Sequence, residues 1–508
     1  MRKLYEKKMT NNCLFVTINN RGEYIMNESK LQKSGLKLVL CSVFRELYDS
    51  DVHFYHSLDQ GTYGKFITEK KLTKRDINKI INRMNEIIEA DIPIEKLSVD
   101  RLEAIRYYDE IGEDEKKRNI EYSYPKIMTF YKLLNEINYF YTEMVESTGD
   151  LLKFDLAYLG NNEFVLTDSI NKKSFKEFNF KKNIYESFNE YDAWCNTLKI
   201  NYLCDINKIV AENKIDDFIK QSDIINENKI YEIAYDIKNN NKKIIMLGGP
   251  SSSGKTTSTR KLSIFLSTFG LNAIKISLDD YYKEEKDLPI NEFGEKDIES
   301  PNSLDIKLFE KNIKDLLTGK KVTLPTYDFI KGKKHFDNKG ITLTEGDILL
   351  IEGLHSLNPK FTKTFKKEDI YKIYVSPFTP LGIDRHNYIS TTDNRLIRRM
   401  VRDNRTRGRN AEATLAQWTK TRASEDKYIF PFTDEADVVL NTAFVYEMGV
   451  LKVFAEPILY SVKQTSPYYE EARRLLNSLS GFFPISSEHI TNDNILREFI
   501  GGSIYNER

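Results

Sequence analysis

Gly249-Pro250-Ser251-Ser252-Ser253-Gly254-Lys255-Thr256 decides how this chain is read. It matches the phosphate-binding pattern G-x-x-x-x-G-K-[ST] at every fixed position. Upstream, Ile244-Ile245-Met246-Leu247 is a short apolar run ending in Gly248-Gly249, the pattern of a buried strand entering a turn. Downstream, Leu262, Phe265, Leu266 and Phe269 recur at helical spacing, so a helix is predicted from Thr256 to Phe269. Strand, glycine loop and helix in this order turn backbone N–H groups and a helix N-terminus toward a polyphosphate. Gly249, Ser251, Ser252, Ser253, Gly254, Lys255, Thr256 and Thr257 are therefore the expected nucleotide contacts. Lys255 is expected to act on the β- and γ-phosphates, and the Thr256 hydroxyl to ligate Mg²⁺. A chance Gly/Ser turn is the competing reading, and both flanking elements weigh against it.

Two acids extend the site. From Asn272 the residues alternate, with Ile274, Ile276 and Leu278 on one side and Ser277 and Asp279 on the other. This predicts a strand running into the turn Asp279-Asp280-Tyr281-Tyr282. Open α/β sheets bind ligands at the carboxyl ends of their strands. A carboxylate there can take the proton of an attacking hydroxyl, an effect of roughly 10²–10⁴-fold, and help to hold Mg²⁺. The alternation favours Asp279 as base, with Asp280 as the alternative; a solvated Asp-Asp turn is the reading without function. Asp347-Ile348-Leu349-Leu350-Ile351-Glu352-Gly353 reads as a buried parallel strand tipped by an acid. Glu352 is a second expected Mg²⁺ ligand.

Arg395, Arg398, Arg399 and Arg402 fall on one helical face, with Leu396, Ile397, Met400 and Val401 offering a core-facing side. Together with Arg405, Arg407 and Arg409, such a helix and loop can close over phosphates, stabilise the transferring group and exclude water. A solvated basic face and an RNA contact are the other readings. The run has no interleaved aromatics, which weighs against RNA.

At 508 residues the chain is too long for one core. Lys+Arg and Asp+Glu both total 76, so no global basic field points to nucleic acid. Cys13, Cys41, Cys195 and Cys204 are scattered, which predicts reduced thiols and a cytoplasmic location. The first residues have no apolar core for a signal peptide, and no run approaches a membrane span. Residues 1–195 alternate β-like runs (Cys13 to Ile18) with helices (Leu36 to Leu47, Asp76 to Glu89). His53 and His56 sit in an expected strand three apart, with no nearby Cys or third His, so a structural role outweighs a metal pair. Residues 196–241 read as a helical connector, 242–443 as the P-loop domain and 444–508 as a helical extension packing on it.

Five motifs occur in one order: the P-loop; Asp279-Asp280-Tyr281-Tyr282; Pro325-Thr326-Tyr327-Asp328-Phe329; Ile351-Glu352-Gly353; and Arg398-Arg399 through Arg402-Asp403 to Arg407-Gly408-Arg409. This order resembles the uridine kinase (uridine–cytidine kinase) family over about residues 242–443. The resemblance implies an α/β fold with a parallel sheet flanked by helices, ATP or GTP as donor, Mg²⁺, and transfer to a nucleoside 5′-hydroxyl. It implies Asp279 as base and Mg²⁺ partner and Arg402 and Arg407 on phosphates. It also implies Tyr282, Glu299, Tyr327, Arg399, Arg409 and Gln417 on the nucleoside. The chain departs from the family at Glu299-Ser300-Pro301, where Asp before His-Pro is usual, and at Lys331-Gly332-Lys333, where a base-reading His is usual.

Over roughly residues 10–190, His56-Ser57-Leu58, Gly61-Thr62-Tyr63 and Phe140 to Gly149 resemble the second amino-terminal module of threonyl-tRNA synthetases, an α+β unit. That module's H-x-x-x-H pair is absent here, so a binding or regulatory role is expected instead. The whole resembles bacterial uridine kinase-like nucleoside kinases. The expectation is a homo-oligomeric kinase acting on uridine or cytidine. The alternatives are a nucleotide-switched tRNA- or RNA-binding regulator, or a kinase for another small hydroxylated acceptor.

Overall fold

The computed structural model describes residues 27–505 apart from 59–60, 124, 169–179, 292–293, 330, 338 and 380. The expected strand at Cys13 to Ile18 lies outside the described residues.

A five-stranded, all-parallel sheet organises the second half. Its order across the sheet is Val438–Asn441, Ile370–Ser376, Ile244–Gly248, Asp347–Gly353, Asn272–Ser277. The P-loop strand is central, and the chain leaves it to build the far edge before returning to fill the gap. The strands are apolar on both sides because both faces are covered. On one face Ile244, Met246, Leu349 and Ile351 meet Phe309, Ile313 and Leu316 of the helix Ile306–Leu317. On the other, Ile245, Leu247, Ile348 and Leu350 meet Leu262 and Leu266 of the P-loop helix Lys255–Thr268. Ile230, Ile233, Ala234 and Ile237 of the helix Ile215–Asn239, in the segment expected as a connector, pack in this same cluster. Each such buried aliphatic side chain contributes about 1.5–3 kcal/mol.

The front half is α+β. A four-stranded antiparallel sheet runs Asp51–Leu58, Gly61–Ile67, Glu163–Asp168, Phe154–Gly160. The helices Asn27–Tyr48 and Lys74–Glu89 cover it, as their apolar spacing predicts. Thr73 and Asp76 close the second helix's N-terminus as a reciprocal capping box. A second sheet of Glu95–Asp100, Ile127–Leu133 and Glu136–Tyr139 packs on the helix Arg101–Glu110.

A loop of the second half, residues 381–389, inserts into the front half. Phe54 N donates to Arg385 O at 2.8 Å, and Tyr139 Oη donates to Asp384 Oδ2 at 2.7 Å. Arg385 pairs with Glu115 at 2.5 Å and Asp51 at 3.0 Å. Buried charges of this kind persist only when paired and bonded. The C-terminal helices Glu447–Tyr460 and Tyr469–Ser480 pack against the arginine helix Thr391–Arg407 in one large core.

Candidate functional site

A cavity of about 270 Å³ opens at the carboxyl end of the parallel sheet. The P-loop forms one wall, and its shape depends on two glycines. Gly254 has φ +84°, and a Cβ there would lie 2.7 Å from Ile495. A Cβ on Gly249 would lie 2.2 Å from the Val375 carbonyl. The hydroxyls of Ser252 and Ser253 are buried without a hydrogen-bond partner among the described residues. Orphaned donors on a glycine loop at a helix N-terminus suit phosphate oxygens. Lys255 is half-buried beside them, and its Nζ donates to Pro250 O at 2.9 Å. Burial pulls its pKa down, opposed by Glu352, Asp279 and Glu498.

The acids stand opposite. Asp279 and Glu352 line the cavity from neighbouring strand ends, with Glu352 paired in register with Ser277. Ser277 Oγ donates to Glu352 Oε1 at 3.0 Å. Burial, then the nearby Glu352 charge, raises the Asp279 pKa to about 7. Asp280 turns elsewhere: its Oδ1 accepts from Tyr327 N at 3.1 Å, anchoring the hairpin Pro325–Asp328/Lys333–Phe336. Thr256, Asp279 and Glu352 all line the cavity and carry hard oxygen atoms of the kind Mg²⁺ takes as ligands. Glu299 also lines the cavity, and burial raises its pKa.

The arginine helix divides into two groups, which its sequence spacing does not reveal. Arg395 and Arg398 are fully buried structural residues rather than members of a lid. Arg395 Nε donates to Ser251 O at 2.9 Å and its guanidinium pairs with Glu425, whose Oε1 also accepts from Ser251 N at 3.1 Å. Arg398 pairs with Glu447 at 2.5 Å and donates to Thr442 O at 2.7 Å. Arg399, Arg402 and Arg407 line the cavity. Fully buried Asp403 gathers them, at 3.5 Å from Arg399, 2.8 Å from Arg402 and 3.4 Å from Arg407, with Arg409 at 3.7 Å.

Of the expected site residues, the cavity wall holds Ser251, Ser252, Ser253, Gly254, Lys255, Thr256, Asp279, Glu299, Glu352, Arg399, Arg402 and Arg407. Gly249, Thr257, Tyr282, Tyr327, Arg409 and Gln417 stand outside it. Gln417 Oε1 accepts from Arg399 Nη2 at 3.3 Å and from Arg409. Tyr282, Tyr327 and Phe329 form a cluster of rings, with Phe329 exposed.

His355, Glu425 and Glu498 line the cavity without having been singled out from sequence. His355 follows the acid-tipped strand by two residues, so its position was readable there; burial lowers its pKa to about 4 and keeps it neutral. Glu498 comes from the short C-terminal helix Arg497–Ile500. Its Oε2 accepts from Thr257 N at 3.2 Å and Thr257 Oγ1 at 2.9 Å. No local pattern announces that contact.

Two histidine groups lie apart from this site. His56 stacks on Phe188 with ring centroids 3.2 Å apart and also on Tyr63, a packing role. Cys41, Asp51 and His386 hold ligand atoms within 4.8 Å of one another. Yet Lys116 Nζ, which only donates, lies 2.7 Å from His386 Nδ1, and His386 Nε2 lies 2.9 Å from Asp51 Oδ1. Nδ1 is thus the acceptor and Nε2–H donates to Asp51, leaving no imidazole lone pair for a metal.

A central P-loop strand, a parallel sheet and acids at adjacent strand ends define a P-loop kinase. The model of the phosphoribulokinase / uridine kinase family matches residues 244–445. The chain is similar to the uridine kinase of Staphylococcus haemolyticus, with 30% identity over 201 residues, 39% of this chain and 87% of that one. It is similar to the uridine kinase of Borrelia duttonii, with 34% identity over 200 residues, 39% of this chain and 85% of the other. A structure of a possible uridine kinase from Bacillus stearothermophilus aligns at TM-score 0.27 and 18% identity, over 39% of this chain and 89% of that one. This chain belongs to the phosphoribulokinase / uridine kinase family. No helix among the described residues is long and apolar enough to cross a membrane.

Proposed function

We propose that this chain is an ATP-dependent, Mg²⁺-requiring nucleoside kinase that phosphorylates a 5′-hydroxyl, with uridine or cytidine as acceptor. The observation that carries this reading is Asp279, a half-buried carboxylate at a strand end, in one cavity with Lys255 and the P-loop. Lys255 and the P-loop N–H groups hold the donor phosphates. Asp279 accepts the proton of the acceptor hydroxyl as its oxygen forms a bond to the γ-phosphorus. The bond from γ-phosphorus to the bridging oxygen breaks, and ADP leaves with that electron pair. Arg399, Arg402 and Arg407 stabilise the negative charge spread over the transferring group. Thr256, Asp279 and Glu352 would hold Mg²⁺, which neutralises phosphate charge when bound. Glu299 grips the acceptor's hydroxyls, while the Tyr282, Tyr327 and Phe329 rings offer its base a surface to stack on.

For the front half we propose a binding or regulatory role, supported only by the synthetase-like stretches His56-Ser57-Leu58, Gly61-Thr62-Tyr63 and Phe140 to Gly149. A second reading of the kinase, a different small hydroxylated acceptor, draws support from Tyr282, Tyr327, Arg409 and Gln417 standing outside the cavity wall.

Lys255→Ala and Asp279→Asn are each expected to lower kcat by roughly 10²-fold or more while unfolding like the parent chain. Undiminished turnover by Asp279→Asn would remove the assigned base.

A further inference from the structure

A second cavity, of about 130 Å³, lies where the front half meets the kinase half. His53 and Tyr55 of the strand Asp51–Leu58 line it, with Asp192 and Asn196 of the helix Lys182–Leu198, then Asn201, Tyr202 and Gly382. Gly382 belongs to the inserted loop, and its carbonyl accepts from Leu203 N at 3.0 Å. The space exceeds that of one ordered water, roughly 30 Å³.

The lining is dominated by acceptors. Asp192 accepts from Asn196 Nδ2 at 3.0 Å and, among the described residues, pairs with no cation within 4.0 Å. Burial raises its pKa, opposed by the Asn196 hydrogen bond and the more distant Lys65 charge, so the ionised form is only partly compensated there. The Asn201 side-chain carbonyl is buried without a hydrogen-bond partner among the described residues. The His53 ring makes no hydrogen bond among them either, and burial lowers its pKa to about 3, so it is neutral with a lone pair to offer. His53 stacks on Tyr55 with centroids 3.8 Å apart, and Tyr202 stands 5.7 Å from His53, so three neighbouring aromatic rings border the cavity. A carboxylate, a carbonyl oxygen, an imidazole lone pair and aromatic faces all favour a cation that donates hydrogen bonds.

We propose that this cavity binds a small organic ammonium compound, with its N–H groups on Asp192 and Asn201 and its charge against the tyrosine faces. The ligand is either a simple amine or the ammonium of a zwitterion. Bound there, it touches both halves of the chain. This inference does not depend on the phosphate site.

The test is calorimetric titration of the full chain with ethanolamine, glycine and potassium chloride, repeated on Asp192→Asn, Tyr202→Ala and Lys255→Ala. Thermal unfolding establishes that each variant is folded. Saturable binding of ethanolamine or glycine is expected, weakened roughly tenfold or more in Asp192→Asn and in any folded Tyr202→Ala, and unchanged in Lys255→Ala. Tighter binding of ethanolamine assigns a simple amine; tighter binding of glycine assigns a zwitterion. The proposal is overturned if neither amine gives saturable heat. Equal affinity in Asp192→Asn, or potassium displacing the amine at equal concentration, overturns it as well.

Discussion

At the scale of single residues, burial decides which charged groups do chemistry and which hold the frame. Without Mg²⁺, burial and the Glu352 charge raise the Asp279 pKa to about 7, so below that pH the free carboxyl carries a proton. Mg²⁺ favours the ionised carboxylate, so Mg²⁺ affinity of the nucleotide-free chain is expected to rise with pH up to about 7, losing up to about tenfold per unit on the acid side, and to weaken in Asp279→Asn. A Mg²⁺ affinity flat from pH 5.5 to 8 would contradict this. Arg398 is a framework residue. Truncation to Ala strands Glu447, a fully buried carboxylate, and is expected to cost about 3–5 kcal/mol, read from urea unfolding. The spacing of Arg395, Arg398, Arg399 and Arg402 marked a helical face from sequence. It said nothing of what that face meets, because the partners Glu425 and Glu447 arrive from later helices. Asp279 was legible, since strand alternation and the turn after it are local properties.

At the scale of elements, the C-terminal segment acts directly on the P-loop. Ile495 fills the space a side chain at Gly254 would need, and Glu498 holds both Thr257 donors. Arg405 ties the segment down by donating to the carbonyls of Phe499 and Glu498, both at 3.1 Å. A carboxylate beside a phosphate site repels the donor's charge. Glu498→Gln keeps an acceptor for Thr257 and removes that charge, so the KM for ATP is expected to fall several-fold. An unchanged or higher KM would show that the charge does not oppose the donor. The sequence carried the helices of this tail but not their contact with Thr257, which spans 241 residues of chain.

At the scale of the whole molecule, two halves are joined by a buried polar network around Arg385 and His386. Arg385→Ala leaves buried Glu115 without its pairing cation, while Asp51 keeps Arg45 at 3.6 Å, and is expected to cost about 3 kcal/mol, lowering the thermal midpoint of the full chain. A midpoint unmoved by that substitution would mean the insertion contributes nothing to the join. Three of the parallel sheet's strands, Ile244–Gly248, Asn272–Ser277 and Asp347–Gly353, were legible as apolar or alternating runs beside the loop or an acid; Ile370–Ser376 and Val438–Asn441 carry no such marker and were not singled out. The front sheet's order was not, since Gly61–Ile67 pairs with Glu163–Asp168 and register across such a span leaves no local mark. The central claim is that the cavity transfers phosphate to a nucleoside. Incubating the chain with ATP, Mg²⁺ and a panel of nucleosides and simple sugars, and weighing the products by mass spectrometry, tests it most directly. The account predicts a nucleoside 5′-monophosphate that disappears with Asp279→Asn; a panel in which only sugars gain phosphate, or nothing does, would contradict it.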